Sequence, residues 1–221
     1  MAWDDCATTP SANHDNPFAC ANNLGSGSLY CSFSTAQPID QVVGLELVVD
    51  VQSSQPTLPD YWRLGPIPDC RHDLLTASLD FTLTTDCADP SFSSALLQDY
   101  IVGQPRGLTS QARIKATAFV PSPETRSFAN DTSYLAIRLV LSYDRTQNIG
   151  ACAGCTFTTC LVFNSVLVRR LAGAAGGDIT LSQPGPGNSN WATWRLADTG
   201  VSCAMVPVRN LTWGRIKTLY H

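Results

Sequence analysis

Glutamate and lysine are nearly missing from this chain: Glu46, Glu124, Lys115 and Lys217 are the only ones among 221 residues. Both are good helix formers that ordinarily cover helix surfaces, so their scarcity argues against a helical protein. Charge of any kind is sparse, 14% of residues against roughly a quarter in an ordinary globular domain. Sixteen Asp and twelve Arg dominate it, and the net charge of −4 leaves no basic surface for phosphates, which speaks against a nucleic-acid partner. No apolar run approaches the roughly 18 residues of a membrane span. Histidine is limited to His14, His72 and His221, and no Gly-x-Ser-x-Gly elbow occurs, which argues against a serine hydrolase. The Met1-Ala2-Trp3-Asp4-Asp5 start has neither a basic n-region nor an apolar h-region, so it is not a signal peptide.

Turn formers and cysteine are what the chain has in abundance. Gly 15 and Pro 14, with many Ser, Thr, Asn and Asp, point to numerous turns joining strands. Nine cysteines stand at 6, 20, 31, 70, 87, 152, 155, 160 and 203. Several follow a turn residue, as in Asp5-Cys6, Asp69-Cys70, Asp86-Cys87 and Gly154-Cys155, which suits loop staples in an oxidising compartment. Two readings are open: a secreted protein whose leader has been removed and whose Met1 is an added initiator, or an intracellular one with metal-bound thiols. The composition favours the secreted one. The odd count leaves one cysteine unpaired or bonded between chains.

A period of two runs through most of the apolar segments, the signature of half-buried strands. Leu45, Leu47, Val49 and Val51 alternate with Glu46, Asp50 and Gln52 over residues 42–52. Ala77, Leu79, Phe81 and Leu83 alternate over 77–83, Ile114, Ala116, Ala118 and Val120 over 113–120, and Leu135, Ile137, Leu139, Leu141 and Tyr143 over 133–143. Cys160 to Val168 is apolar on both faces except at Asn164 and Ser165, as in a central, doubly covered strand. Shorter strands are expected at 29–34, 178–182 and 191–196. Helix is expected only at 94–101 and from an N-cap at Thr212 through Tyr220. Residues 1–27 read as a loop-rich N-terminal segment and 28–221 as one domain: an all-β, two-sheet antiparallel sandwich, jelly-roll-like, with disulfide-stapled loops and one or two short helices.

Several local patterns carry a resemblance. They are Trp3-Asp4-x-Cys6, Phe18-Ala19-Cys20-x-Asn22, Val49-Asp50-Val51-Gln52-Ser53 followed by Leu58-Pro59-x-Tyr61-Trp62, Cys70-Arg71 and Cys87-Ala88-Asp89-Pro90. Gly150-Ala151-Cys152-Ala153-Gly154-Cys155, Cys160-Leu161-Val162-Phe163-Asn164-Ser165 and the ending Thr212-Trp213-Gly214-x-Ile216-Lys217-x-Leu219-Tyr220 follow in order. Together they resemble a family of uncharacterised secreted, cysteine-containing β-rich proteins of environmental bacteria. The resemblance implies a secretion leader and an end at or just after the Leu-Tyr pair, and brings no activity with it. It also implies that Cys31, where a small non-cysteine residue is expected, is the odd thiol, leaving eight cysteines for four bridges. Sequence proximity suggests Cys6–Cys20, Cys70–Cys87 and Cys152–Cys155, with Cys160–Cys203 as the fourth.

Candidate chemistry is thin. Cys152-x2-Cys155-x4-Cys160 with Cys203 would make a four-thiolate zinc site, but only one Cys-x2-Cys knuckle is present and disulfides account for the sulfurs more simply. His72, in Cys70-Arg71-His72-Asp73, and His14 have no motif partner, so no catalytic residue is assigned. Asp50, on the polar face of a strand, is the carboxylate placed as sugar-active sandwiches use one, yet no second carboxylate is patterned with it. Tyr61-Trp62 and Trp191-x2-Trp194 lie in or beside Pro/Gly-rich loops, where an exposed ring would stack on a sugar. Trp62, between Pro59 and Pro66, is the first choice of contact. Trp191 and Trp194, three apart in a strand, face opposite sides, so one is core and the other exposed.

The reading is therefore a secreted, non-catalytic module that binds a glycan or surface polymer, or copies of itself, through Trp62, Tyr61, Trp191, Trp194 and Asp50, without cofactor or metal. A structural subunit of an extracellular filament or layer is one alternative. A carbohydrate-active enzyme with an Asp pair is another.

Overall fold

The computed structural model describes residues 1–9, 12–82, 86–182, 190–196 and 203. Its strands are β1 (Ala2–Trp3), β2 (Asp15–Asn16), β3 (Ser26–Ser34), β4 (Ile39–Ser53), β5 (Leu75–Ser78) and β6 (Ser94–Val102). β7 (Gln111–Phe119), β8 (Arg126–Phe128), β9 (Ser133–Ser142), β10 (Thr159–Arg170), β11 (Ile179–Leu181) and β12 (Trp191–Trp194) complete the set. A 3-10 turn spans Asp60–Trp62. The strands form a four-stranded sheet, β1-β3-β9-β5, and an eight-stranded one ordered β2-β12-β10-β4-β7-β6, with β8 and β11 added to β4 and β10. The chain is an all-β sandwich, and among the described residues its strands pair antiparallel except where β2 runs parallel to β12.

The alternating residues decide which faces meet. Leu45, Leu47, Val49 and Val51 of β4 lie in register with Ala118, Ala116, Ile114 and Ala112 of β7 and with Val168, Val166, Phe163 and Leu161 of β10. All are buried against Leu29, Leu139, Leu141 and Leu75 of the smaller sheet, one continuous core. The alanines of β7 let the sheets approach where β4 and β10 carry larger side chains. A second, smaller cluster lies on the outer side of the small sheet, where Phe81 covers Tyr30 and Leu135.

Three expectations change. Residues 94–101 are strand β6, not helix. A bulge at Gln98 shifts the register, Leu97 pairing with Ala116 and Asp99 with Lys115. Leu97 and Tyr100 thus point inward three residues apart, so a bulged strand imitates helical spacing. The strand expected over 77–83 is β5, which ends at Ser78, and Phe81 crosses to the outer side of the small sheet. Residues 1–27 do more than pack on the domain, since β1 edges the small sheet and β2 edges the large one. The helix expected at 212–220 lies outside the described residues.

Candidate functional site

One end of the sandwich gathers the loops 17–25, 54–74, 103–110 and 143–158, and hydrogen bonds stitch each to the next. Asn23 Oδ1 accepts from the backbone N–H groups of Thr146 (2.9 Å) and Gln147 (2.8 Å), Tyr61 N donates to the Ala153 carbonyl (2.9 Å), and Leu58 N donates to that of Thr109 (2.7 Å). Two disulfides lock this end: Cys20–Cys155 and Cys70–Cys152. The other two pin segments to the outer faces of the sheets, Cys6–Cys87 on the small one and Cys160–Cys203 on the large one. Cys31 is left buried and unpaired, its thiol pushed up to about 12 by that burial. All eight paired cysteines are those expected, and Cys160–Cys203 is a pair as expected. Cys6–Cys20, Cys70–Cys87 and Cys152–Cys155 are not formed, because packing brings together loops far apart in sequence. With Cys152, Cys155, Cys160 and Cys203 all in disulfides, the four-thiolate zinc alternative is removed.

The rings expected to be sugar platforms are mostly core. Trp62 is 1% exposed, and Tyr61 and Trp194 are fully buried. Trp194 sits at the hub, with ring centroids of Trp62, Tyr61, Phe18 and Trp3 at 5.5, 5.6, 5.4 and 6.0 Å. Its indole N–H donates to the Cys155 carbonyl (2.8 Å), and that of Trp3 to Thr193 (2.7 Å), tying the ring cluster to the disulfide loops. Below it lies the fully buried Arg71, its guanidinium 3.7 Å from the Tyr61 ring centre and hydrogen-bonded to the carbonyls of Tyr61 (3.0 Å) and Ser142. Burial lowers the Arg71 pKa and raises that of Tyr61. The Pro59–Pro66 loop turns Trp62 inward rather than presenting it at the surface: an indole of that size releases more water inside than at a loop tip.

Trp191 differs from its neighbour, as the opposite-face argument requires. It is half-buried on the outer side of the large sheet, 6.0 Å from the His14 ring. Asp50, on that side two strands away, is 1% exposed. Arg113 Nε and Nη2 donate to its two oxygens (2.7 and 3.0 Å), and Asn164 Nδ2 donates to Oδ2 (2.6 Å). Asn164 can reach because it is the bulged residue of β10, between Phe163 paired to Val49 and Ser165 paired to Val48. A carboxylate so occupied is an anchor for the sheet rather than a general acid or base. His14 and His72 face carbonyls: His14 Nδ1 lies 3.0 Å from Met1 O, and His72 Nδ1 lies 3.1 Å from Asp69 O.

The surface that remains is the loop end itself. Leu24, Ile67, Val102, Leu108, Ile149 and Phe157 are exposed there, six of nine exposed large hydrophobics of the described chain. Leu24, Ile67, Ile149 and Phe157 stand on loops tied by the two disulfides, and Leu108 on a loop joined to them by the Leu58 N–H to Thr109 carbonyl bond. The sequence reading missed them because it sought aromatic rings in proline-rich loops. Aliphatic residues inside polar turn segments were the available signal. Among the described residues, no group of three or more His, Cys, Asp or Glu is arranged to hold a metal, and no helix is long and apolar enough to cross a membrane. Comparison with family models, curated proteins and solved structures finds no match.

Proposed function

We propose that this protein is a secreted, non-catalytic binding module that engages an extracellular target through its disulfide-clamped loop end. The observation that carries the reading is the coincidence, at one end, of two long-range disulfides with six exposed apolar side chains. Rigid loops on a sandwich scaffold are where binding residues concentrate, and pre-ordering lowers the entropy cost of engagement. Four disulfides and the sparse charge fit an oxidising compartment. Histidines facing carbonyls and an Asp50 saturated by Arg113 and Asn164 support a non-catalytic role.

A glycan-binding reading has one specific support, the half-buried Trp191 on the outer face. The two are separated by measuring binding to a glycan array, to surface polymers and to vesicles for Ile149→Asp, Leu171→Asp and Trp191→Ala. Loss confined to Ile149→Asp supports the loop end, and loss confined to Trp191→Ala supports the outer face. Equal binding by all three variants would overturn both.

A further inference from the structure

Two neighbouring turns at the loop end share one residue pattern, amide–Asn–aliphatic–Gly: Asn22-Asn23-Leu24-Gly25 and Gln147-Asn148-Ile149-Gly150. In the first, Leu24 N donates to Asn22 Oδ1 (2.9 Å) and Gly25 turns the chain back at φ 87°. In the second, Ala151 N donates to Asn148 O (3.1 Å), with Asn148 at φ 69° and Gly150 at φ 84°. Each polar frame lifts one aliphatic side chain at its apex. Leu24 is 80% exposed, and Ile149, at 107%, is clear of its own chain. Asn23 binds the turns side by side, accepting from Thr146 and Gln147 and donating to Gln147 O (3.1 Å), and Cys20–Cys155 closes the base. Turn apices ordinarily carry Gly, Pro, Asn, Asp or Ser, and neither aliphatic side chain contributes to the core.

Charge is missing from the two turns themselves. Residues 16–39 and 146–158 hold no Asp, Glu, Lys, Arg or His. Arg145, beside the second turn, is turned to the Cys70 carbonyl and His72, Arg195 donates to the Phe18 carbonyl (2.9 Å), and exposed Asp144 engages Ser142 Oγ (3.0 Å). Phe157, on the uncharged stretch, is exposed as well.

We propose that these paired turns dock the protein on an electrically neutral lipid surface, with Leu24 and Ile149 inserted past the headgroups; this rests on the loop end being the binding surface. Separate protruding aliphatic side chains suit a fluid that closes around them, whereas a protein partner needs a flat, continuous area of roughly 1,000 Å² or more. Sugars are met by flat aromatic rings, and Leu and Ile supply none. The absence of basic residues from the two turns, with a net charge of −4, favours zwitterionic headgroups over anionic ones. Both frames are pre-ordered, so little entropy is lost on insertion.

The test is co-flotation of the full oxidised chain with vesicles of phosphatidylcholine alone and of phosphatidylcholine mixed with phosphatidylglycerol, for wild type and Leu24→Asp/Ile149→Asp. Both positions are exposed, so the double variant keeps the wild-type melting temperature, which is measured alongside. The expected result is wild-type flotation with phosphatidylcholine, no gain from phosphatidylglycerol, and a loss of roughly tenfold or more in the variant. Leu24→Met/Ile149→Met retains flotation. Absence of wild-type flotation, flotation only with phosphatidylglycerol, or equal flotation of the Asp variant overturns the lipid assignment. Self-association by light scattering, or glycan binding, that the Asp variant abolishes without any vesicle binding also overturns it, yet leaves the loop end as the binding surface. If neither property responds to the variant and no vesicle is bound, the loop-end reading falls too.

Discussion

At one end of the sandwich Trp194 gathers Trp3, Phe18, Tyr61 and Trp62; at the other Phe128 gathers Phe33, Phe92 and Tyr134, with centroids 5.1, 6.4 and 4.8 Å from its ring. Both ends are thus sealed by aromatic rings, but their connections differ. The Phe128 end carries the short turns 35–38 between β3 and β4 and 129–132 between β8 and β9, one long connection, 79–93 between β5 and β6, and surface ion pairs such as Arg169–Asp178. The Trp194 end carries 54–74 and 143–158. Ordering such loops costs conformational entropy that a ring cluster alone is poorly placed to offset. Disulfides spanning 135 and 82 residues remove that freedom from the unfolded chain instead, by about 4–5 kcal/mol each in chain-entropy terms. The short turns 35–38 and 129–132 carry no such cross-links, whereas the one long connection of the Phe128 end, 79–93, is held by a single bridge, Cys6–Cys87.

Removing the hubs probes the shared part of this comparison. Trp194→Ala and Phe128→Ala should each cost about 3–5 kcal/mol in urea unfolding. Trp194→Ala should be the larger because it also orphans the Cys155 carbonyl. A loss under about 1 kcal/mol for Phe128→Ala would mean that its end is not sealed by rings. Next in size, Cys70→Ala/Cys152→Ala should cost about 2–4 kcal/mol. Amide exchange should accelerate in 54–74 and 143–158 while the β3–β4 turn keeps its protection; acceleration at both ends alike would dissolve the distinction. Tyr100→Phe removes the phenol O–H that donates to the Trp62 carbonyl and should cost about 1 kcal/mol, read in the same unfolding assay.

The smallest effect belongs to the Phe128 end. Asp178 has its pKa lowered from 3.8, first by the Arg170 backbone N–H and then by the Arg169 side chain. A carboxylate whose folded pKa is depressed contributes stability above its unfolded value, lost as pH falls through the lowered one. Asp178→Asn should therefore lower the melting temperature only slightly at neutral pH, the difference vanishing under strongly acid conditions. A difference that persists there would mean that Asp178 acts through something other than its charge.

Period-two alternation located β4, β7 and β9, a run apolar on both faces located β10, and the opposite-face argument for Trp191 and Trp194 held, because alternation and opposite faces depend only on the direction of successive side chains. The β6 bulge at Gln98 defeated the same reasoning, since an inserted residue changes the period without changing composition. The bridges of Cys6, Cys20, Cys70 and Cys152 were illegible for a different reason. Pairing follows which loops end up adjacent, and proximity along the chain says little about that. Trp62 was read as exposed because proline marks a loop, whereas a loop backbone at the surface can still aim its side chain inward. Leu24 and Ile149 passed unnoticed because single exposed aliphatics are common and become informative only when their turns prove to be neighbours.

The parallel pairing of β2 with β12 sets an order of events. Asp15 and Asn16 pair with Thr193 and Trp194, and Cys20 bonds Cys155, so the beginning of the chain cannot reach its final place until residues near the other end exist. During synthesis Cys6 and Cys20 are the first two cysteines to emerge, and a premature bond between them closes a short loop at little entropy cost. An enzyme that reshuffles disulfides would let such a bond be undone and Cys6 pass to Cys87. Refolding from the reduced state is therefore expected to be slow without a thiol catalyst and to accumulate the Cys6–Cys20 species, which mass mapping of trapped intermediates would detect.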